Sequence, residues 1–187
     1  DPADAQVECS LAIVNCYIGY AELERGNFEE ALSRFRVSLE IARRVSEADK
    51  TNALFRGGLI SGHLWLGVAL RDAGRTAEGI AEISKALELQ RAVFDSDRSI
   101  FGERNWLADC HLELGIALLK AGAASAAIET FQAAVENYKA IWENDRENLA
   151  ARRQIAFTQK QLADAHLQTG RSAEALKIYR KIFEEFS

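Results

Sequence analysis

Apolar side chains recur every three or four positions along almost the whole chain. Leu11, Val14, Ile18 and Ala21 keep that rhythm, and after Gly26 it restarts as Phe28, Ala31, Leu32, Phe35, Leu39 and Ala42. A period of three to four is helical, and the alternation that would mark a strand is absent. Gly26 falls where one helix must stop and the chain reverse, a position that favours φ > 0. The segments around Gly74, Gly122 and Gly170 read the same way. The pattern predicts eight helices, at 3–25, 28–48, 52–73, 76–96, 100–121, 124–144, 147–169 and 172–186. The only proline of the 187 residues is Pro2, so nothing interrupts these helices. Asn52 and Asn148, with Asp4 in the matching place, are candidate N-caps.

The pattern is a repeat. Gly26, Gly74, Gly122 and Gly170 are 48 residues apart, and so are Ala21, Ala69, Ala117 and Ala165. Gly19, Gly67, Gly115 and Ala163 form a third small-residue series. Leu11, Leu59, Leu107 and Ile155 keep the interval, as do Ile18, Leu66, Leu114 and Leu162, and Leu32, Ile80, Ile128 and Leu176. Asp1, Asp49, Asp97 and Asp145 mark the turns between units. No insertion or deletion is needed. The chain therefore divides into four helix-turn-helix units, approximately 1–48, 49–96, 97–144 and 145–187, within a single array.

Inside each unit the residues resemble the tetratricopeptide pattern. The third unit carries it as Leu114, Gly115, Ala117, Gly122, Ala127, Phe131 and Ala134, and the first as Gly19, Ala21, Gly26, Ala31 and Phe35. The second has Leu66, Gly67, Ala69, Gly74, Gly79 and Ile83, and the fourth has Ala163, Ala165, Gly170, Ala175 and Tyr179. In that family small residues let the two helices of a unit approach, and a large neighbour fills the gap. The standard unit is about 34 residues. Here about seven residues are added per helix, nearly two turns, which returns the apolar face to within about 20° of its starting phase. The chain is thus similar to a long variant found in bacterial multidomain signalling proteins, often behind serine/threonine kinase or caspase-like domains. Asp145-Arg146-Glu147-Asn148 and Ala175-Leu176-Lys177-Ile178-Tyr179-Arg180 carry that likeness most plainly. The resemblance implies an all-α fold, a right-handed α-solenoid of four repeats and eight helices.

Composition narrows the function. Apolar residues are 48% and charged residues 27%, which excludes wholesale disorder. The formal net charge is −5, so no basic face for nucleic acid is expected. No apolar run approaches the ~20 residues that span a bilayer, and no membrane contact is expected. The three cysteines, Cys9, Cys16 and Cys110, contain no CxxC. Cys9 and Cys16 would stand about 10 Å apart along one helix, too far to pair. A reducing, cytoplasmic compartment fits. The sequence holds no Met and reads as a fragment or a processed product.

No catalytic motif is present: no phosphate-cradling glycine loop, HExxH or GxSxG. The segment is expected to be non-catalytic, with no cofactor and no metal. His63 and His111 share a register, with Asn15 and Gln159 in the same slot. As metal ligands they lack a third donor, and a shared structural contact is the preferred reading. His166 reads as a groove or surface residue. Arg56, Arg104 and Arg152, each seven residues after an Asp, read as a ladder pinning the turns between repeats, or else as a stacked site for an acidic peptide or phosphate. Trp65, Trp106 and Trp142 read as packing.

Functional content lies in a surface. By the family's geometry the inner wall is built by the first helix of each unit, through Cys16, Tyr20 and Leu23; Leu64, Val68 and Arg71; Leu112, Ile116 and Leu119; and Lys160, Asp164 and Leu167. It is mostly apolar in three units and polar in the fourth. Such a wall points to a protein or peptide partner, either an amphipathic helix or an extended apolar segment. The carboxylate-clamp form of the family needs several Lys and Asn there, and only Arg71 and Lys160 are basic. Alternatively, longer helices close the groove and these residues pack on one another. The last helix carries Ile178, Ile182, Phe183 and Phe186, with no polar cap after it. Either further protein covers that face, or two copies meet there as a homodimer. The function expected is a protein-interaction scaffold, with a regulatory segment of a larger bacterial signalling enzyme as the alternative.

Overall fold

A computed structural model describes residues 2–96 and 101–186. Asp1 and Asp97 of the aspartate series, and the side chain of Phe186, lie outside the described residues. Regular structure among the described residues is helical throughout: α1 (Pro2–Glu24), α2 (Phe28–Ala48), α3 (Ala53–Asp72), α4 (Thr76–Ser96), α5 (Phe101–Lys120), α6 (Ala124–Asn144), α7 (Leu149–Gln168) and α8 (Ser172–Phe186). These are the eight helices the apolar rhythm predicts, each end displaced by two residues at most.

The turn inside each unit is built the same way four times. Gly26, Gly74, Gly122 and Gly170 have φ of 78°, 84°, 79° and 75°. The amide after each glycine reaches back to a carbonyl five residues earlier, as Asn27 N to Glu22 O at 2.9 Å and Ala123 N to Leu118 O at 2.9 Å. This Schellman geometry occupies the carbonyls that a helix end leaves open. Between units, Asp49 Oδ1 accepts from the Thr51 amide and hydroxyl, and Asp145 Oδ1 accepts from the Glu147 amide. Asn52 then caps α3 by accepting from the Leu54 amide at 3.0 Å, and Asn148 caps α7 by accepting from the Ala151 amide at 2.9 Å. Asp4 does not cap. α1 starts at Pro2, which leaves Asp4 in the first turn, where a carboxylate meets the positive end of the helix dipole.

The helices group into two compact units, Asp1–Leu89 and Gln90–Ser187, with the boundary inside α4. In the first, α2 packs on both α1 and α3. Its core joins Leu32, Phe35 and Leu39 of α2 to Leu66, Ala69 and Leu70 of α3, with a second cluster of Cys9, Ala12, Ile41, Val45 and Phe55. In the second, α6 packs on α5 and α7, and α7 on α8. One core runs from Ala108 and Leu112 through Phe131 and Tyr138 to Ile155 and Leu162.

The small-residue series sets the spacing within hairpins. A Cβ on Gly115 would lie 2.5 Å from Phe131 Cε1, and one on Gly67 would lie 2.9 Å from the Gly79 carbonyl oxygen. Real Cβ atoms do not come that close, so the bare glycines are what lets α5 meet α6 and α3 meet α4.

Helix α3, Ala53–Asp72, is long and apolar enough to cross a membrane by length and composition, although it carries no continuous apolar run. Half of that stretch is buried inside the protein. Its apolarity reflects packing on two sides, against α2 on one and α4 on the other.

Candidate interaction surface

The wall positions divide by burial. In the first unit Tyr20 is exposed and Cys16 and Leu23 are half-buried, whereas Leu64, Val68 and Arg71 are buried. The three buried residues belong to α3, which has α1 alongside as well as α2 behind it. In the second unit Lys160 and Leu167 are exposed, Ile116, Leu119 and Asp164 are half-buried, and Leu112 is buried. The positions that retain surface are therefore Cys16, Tyr20 and Leu23 on α1, Ile116 and Leu119 on α5, and Lys160, Asp164 and Leu167 on α7.

Beside Tyr20 the structure places side chains that the wall positions did not include. Tyr17 is 72% exposed, and Ile13 is exposed one turn before it. Ile13, Tyr17 and Tyr20 follow at intervals of four and three, so they form one stripe along α1. Trp65 of α3 meets the Tyr20 ring edge-on, with centroids 5.4 Å apart. The signal was present in the sequence as a second apolar stripe on an already apolar helix. In the second unit Trp106, Leu149 and Phe157 are exposed, and Phe157 lines a shallow depression with Ala150, Arg153 and Gln154. Trp106 keeps 39% of its surface exposed, while Trp65 and Trp142 are half-buried.

The wall's polar groups are engaged. Arg71 binds the Asp72 carboxylate with its Nε at 2.8 Å and its Nη2 at 3.0 Å. Lys160 Nζ lies 2.7 Å from Asp164 Oδ2, and the Tyr179 hydroxyl donates to the other oxygen of Asp164. Both cations that could have clamped a carboxylate are matched within the chain.

The histidine register does not share one contact. His63 Nδ1 lies 2.7 Å from Glu82 Oε2, bridging α3 and α4. Asn15 donates to the Leu11 carbonyl in its own helix. His111 Nδ1 and Gln159 Oε1 are buried without a hydrogen-bond partner among the described residues. Burial, with Arg91 nearby, lowers His111 to about 4, so it is neutral at pH 7. His166 is buried, a correction to its reading as a groove residue: its register is that of Leu70 and Leu118, the core side of the helix. Among the described residues no three His, Cys, Asp or Glu side chains converge to hold a metal ion.

The three arginines are each engaged within the chain. Arg56 donates to the Lys50 and Thr51 carbonyls at 3.1 and 3.0 Å and so holds the turn before α3. Arg104 stacks over Phe94, 4.9 Å from the ring centroid. Arg152 donates to the Glu185 carbonyl at 2.9 Å and lies over Trp142. The cysteines are free, and burial pushes the thiol of Cys16 up to about 11 and that of Cys110 to about 12. Neither is a thiolate at neutral pH.

No protein-family model matches this sequence, and no curated protein does. Solved structures do. The apo form of RapI matches with a TM-score of 0.68 over 93% of this chain, at 16% sequence identity. The chain spans 42% of the length of RapI. MamA from AMB-1 matches at 0.45 over 94% of this chain and 93% of its own, with 16% identity. BtubC from P. vanneervenii matches at 0.43 over 97% and 88%, with 14% identity. At such identities the likeness shows the fold alone, and RapI, with the highest TM-score of the three, carries it. The protein has a tetratricopeptide-like helical-repeat fold.

Proposed function

We propose that this segment is a non-catalytic protein-interaction scaffold that holds a peptide or an amphipathic helix against the first helices of its repeats. The observation that carries the reading is the Ile13–Tyr17–Tyr20 stripe, an exposed aromatic surface buttressed by Trp65. Tyrosines held by a rigid neighbour offer large contact area at low entropic cost, which suits them as anchors. An apolar partner fits better than an acidic tail, because Arg71 and Lys160 are already matched by carboxylates. The four hairpins are read as one array of the long 48-residue type, working in a reducing compartment such as the cytoplasm. The unpaired cysteines support that compartment. A bacterial regulatory segment of a larger signalling enzyme, such as a serine/threonine kinase, is the second reading. It draws on the 42% of RapI that the match spans, since a repeat set of this size can be one part of a longer chain.

The test is capture of partners by the parent and by Tyr17→Glu and Tyr20→Glu. Both residues are exposed, so melting temperatures should stay within a few degrees of the parent. Affinity for the captured partner, measured by calorimetry, should fall at least about tenfold, as expected for an aromatic anchor. Unchanged affinity in both folded variants would refute the proposal.

A further inference from the structure

The third and fourth hairpins carry the same polar device on their first helix. In the fourth, one oxygen of Asp164 on α7 accepts from the Tyr179 hydroxyl of α8. The other accepts from Lys160 Nζ, four residues earlier on α7, at 2.7 Å. In the third, one oxygen of Asp109 on α5 accepts from the Tyr138 hydroxyl of α6. The other accepts from Asn105 Nδ2, again four residues earlier, at 3.0 Å. The two arrangements differ in one respect. Where Lys160 brings a positive charge, Asn105 brings a neutral amide.

Asp109 is therefore a carboxylate held by neutral donors. Burial pushes it up to about 6 against the Tyr138 hydroxyl, with Glu113 one turn along adding to the rise, and at neutral pH it is still ionised. A half-buried charge matched by neutral groups alone gains from a cation. Arg104, the nearest cation in sequence, is turned elsewhere: it stacks on Phe94 and reaches Asn137 Oδ1 at 3.4 Å. Three residues before Asp109, on the same side of α5, Trp106 keeps 39% of its surface exposed. Ile116, seven residues beyond Asp109 and half-buried, continues that stripe. α5 is an internal helix of the chain, so this surface stays open in the presence of helices before and after it in sequence.

We propose that Trp106 and Asp109 receive a lysine or arginine side chain of the protein partner, its charge on the carboxylate and its aliphatic stem on the indole. The cation takes at Asp109 the place that Lys160 takes at Asp164. The indole face attracts a cation, and the stem of a long basic side chain covers apolar surface. Apolar side chains flanking the basic one then meet Ile116. An acidic segment would instead set like charge against Asp109 and Glu113. The inference rests on the scaffold reading and adds the partner's chemistry to it: a basic side chain among apolar ones.

Fluorescence anisotropy tests it with two labelled amphipathic helical peptides, one of leucine and lysine and one with glutamate for each lysine, in about 0.15 M salt at neutral pH. The parent should bind the lysine peptide at least about tenfold more tightly than the glutamate peptide. Asp109→Asn should weaken lysine-peptide binding about fivefold or more. Asn105→Lys should do the same, because it supplies Asp109 with a cation from within the chain. Trp106→Ala should weaken it at least about twofold. Glu136→Gln removes the same charge from an exposed site on α6 and should leave the affinity within about twofold, which separates the contact from net charge. Asn105 is exposed, so its variant keeps the test open if Asp109→Asn loses helicity by circular dichroism. Peptides bound alike or not at all, a folded Asp109→Asn or Asn105→Lys that binds as the parent does, or an equal loss in Glu136→Gln overturns the proposal. The scaffold reading is decided apart from it. If the affinity of a captured partner falls in Tyr17→Glu but not in Asn105→Lys, the scaffold stands and the basic contact fails.

Discussion

Asp109 and His111 stand two residues apart on α5 and respond to pH in opposite senses. Burial pushes the Asp109 carboxyl up to about 6, against the Tyr138 hydroxyl that donates to it and with Glu113 adding to the rise. Burial lowers His111 to about 4. Between about pH 4 and 6 the folded protein holds more protons at Asp109 than the unfolded chain does, so that group's support fades as pH rises. Across about pH 4 to 6.5 the unfolded chain holds more protons at His111, so that contribution grows with pH. The two oppose each other over nearly the same window. Relative to the parent, the Asp109→Asn variant should gain stability as pH rises from about 4 to 6.5, and His111→Gln should lose it. Urea midpoints at three pH values decide the matter, and parallel profiles for all three proteins would contradict it. Gly115 makes a second prediction at this scale. Its missing Cβ would press on the Phe131 ring, so Gly115→Ala should cost about 1–3 kcal/mol in denaturant unfolding, as overpacking does. The fourth repeat has Ala163 in that slot, and there the facing ring, Tyr179, is half-buried with its hydroxyl on Asp164.

Helices here were legible because their stops are chemical. Four glycines at φ near 80° end the first helix of each unit, and the Asn52 and Asn148 caps start α3 and α7. Those signals are local, so the sequence states them outright. Asn52→Ala should lower stability by about 1 kcal/mol, the usual worth of an N-cap, and Asn52→Ser should recover most of it. Equal unfolding midpoints for the parent and the Asn52→Ala variant would show the cap to be idle. Asp4 was misjudged for a local reason too: Pro2 suits the first turn of a helix, so α1 begins before the aspartate.

Within each compact unit, protection should follow the number of neighbouring helices. Helices α2, α6 and α7 each pack against two neighbours, while α1 and α8 carry exposed apolar residues such as Leu11 and Leu176. Stability in repeat proteins is close to a sum of nearest-neighbour contacts, so a helix with fewer neighbours opens first. Hydrogen exchange should be faster in α1 than in α2, and faster in α8 than in α6 and α7, and equal protection within either set would contradict this. The wall was legible only in part for a reason of the same scale. Leu64, Val68, Arg71 and Leu112 are on the expected face of their helices, but neighbouring helices cover them. Tyr17 and Ile13, off that register, emerge instead as the open aromatic surface.

The sequence by itself determined the period, the helices, their turns and the small residues that set helix spacing, because each of these is written within a few dozen consecutive residues. Tertiary structure alone decided which of several apolar stripes on a helix remains in water. That depends on how many neighbours a helix acquires. Leu32 and Leu176 share a register and a chemistry, and one is buried while the other is half exposed: Leu32 shares a core with Leu66, Ala69 and Leu70 of α3.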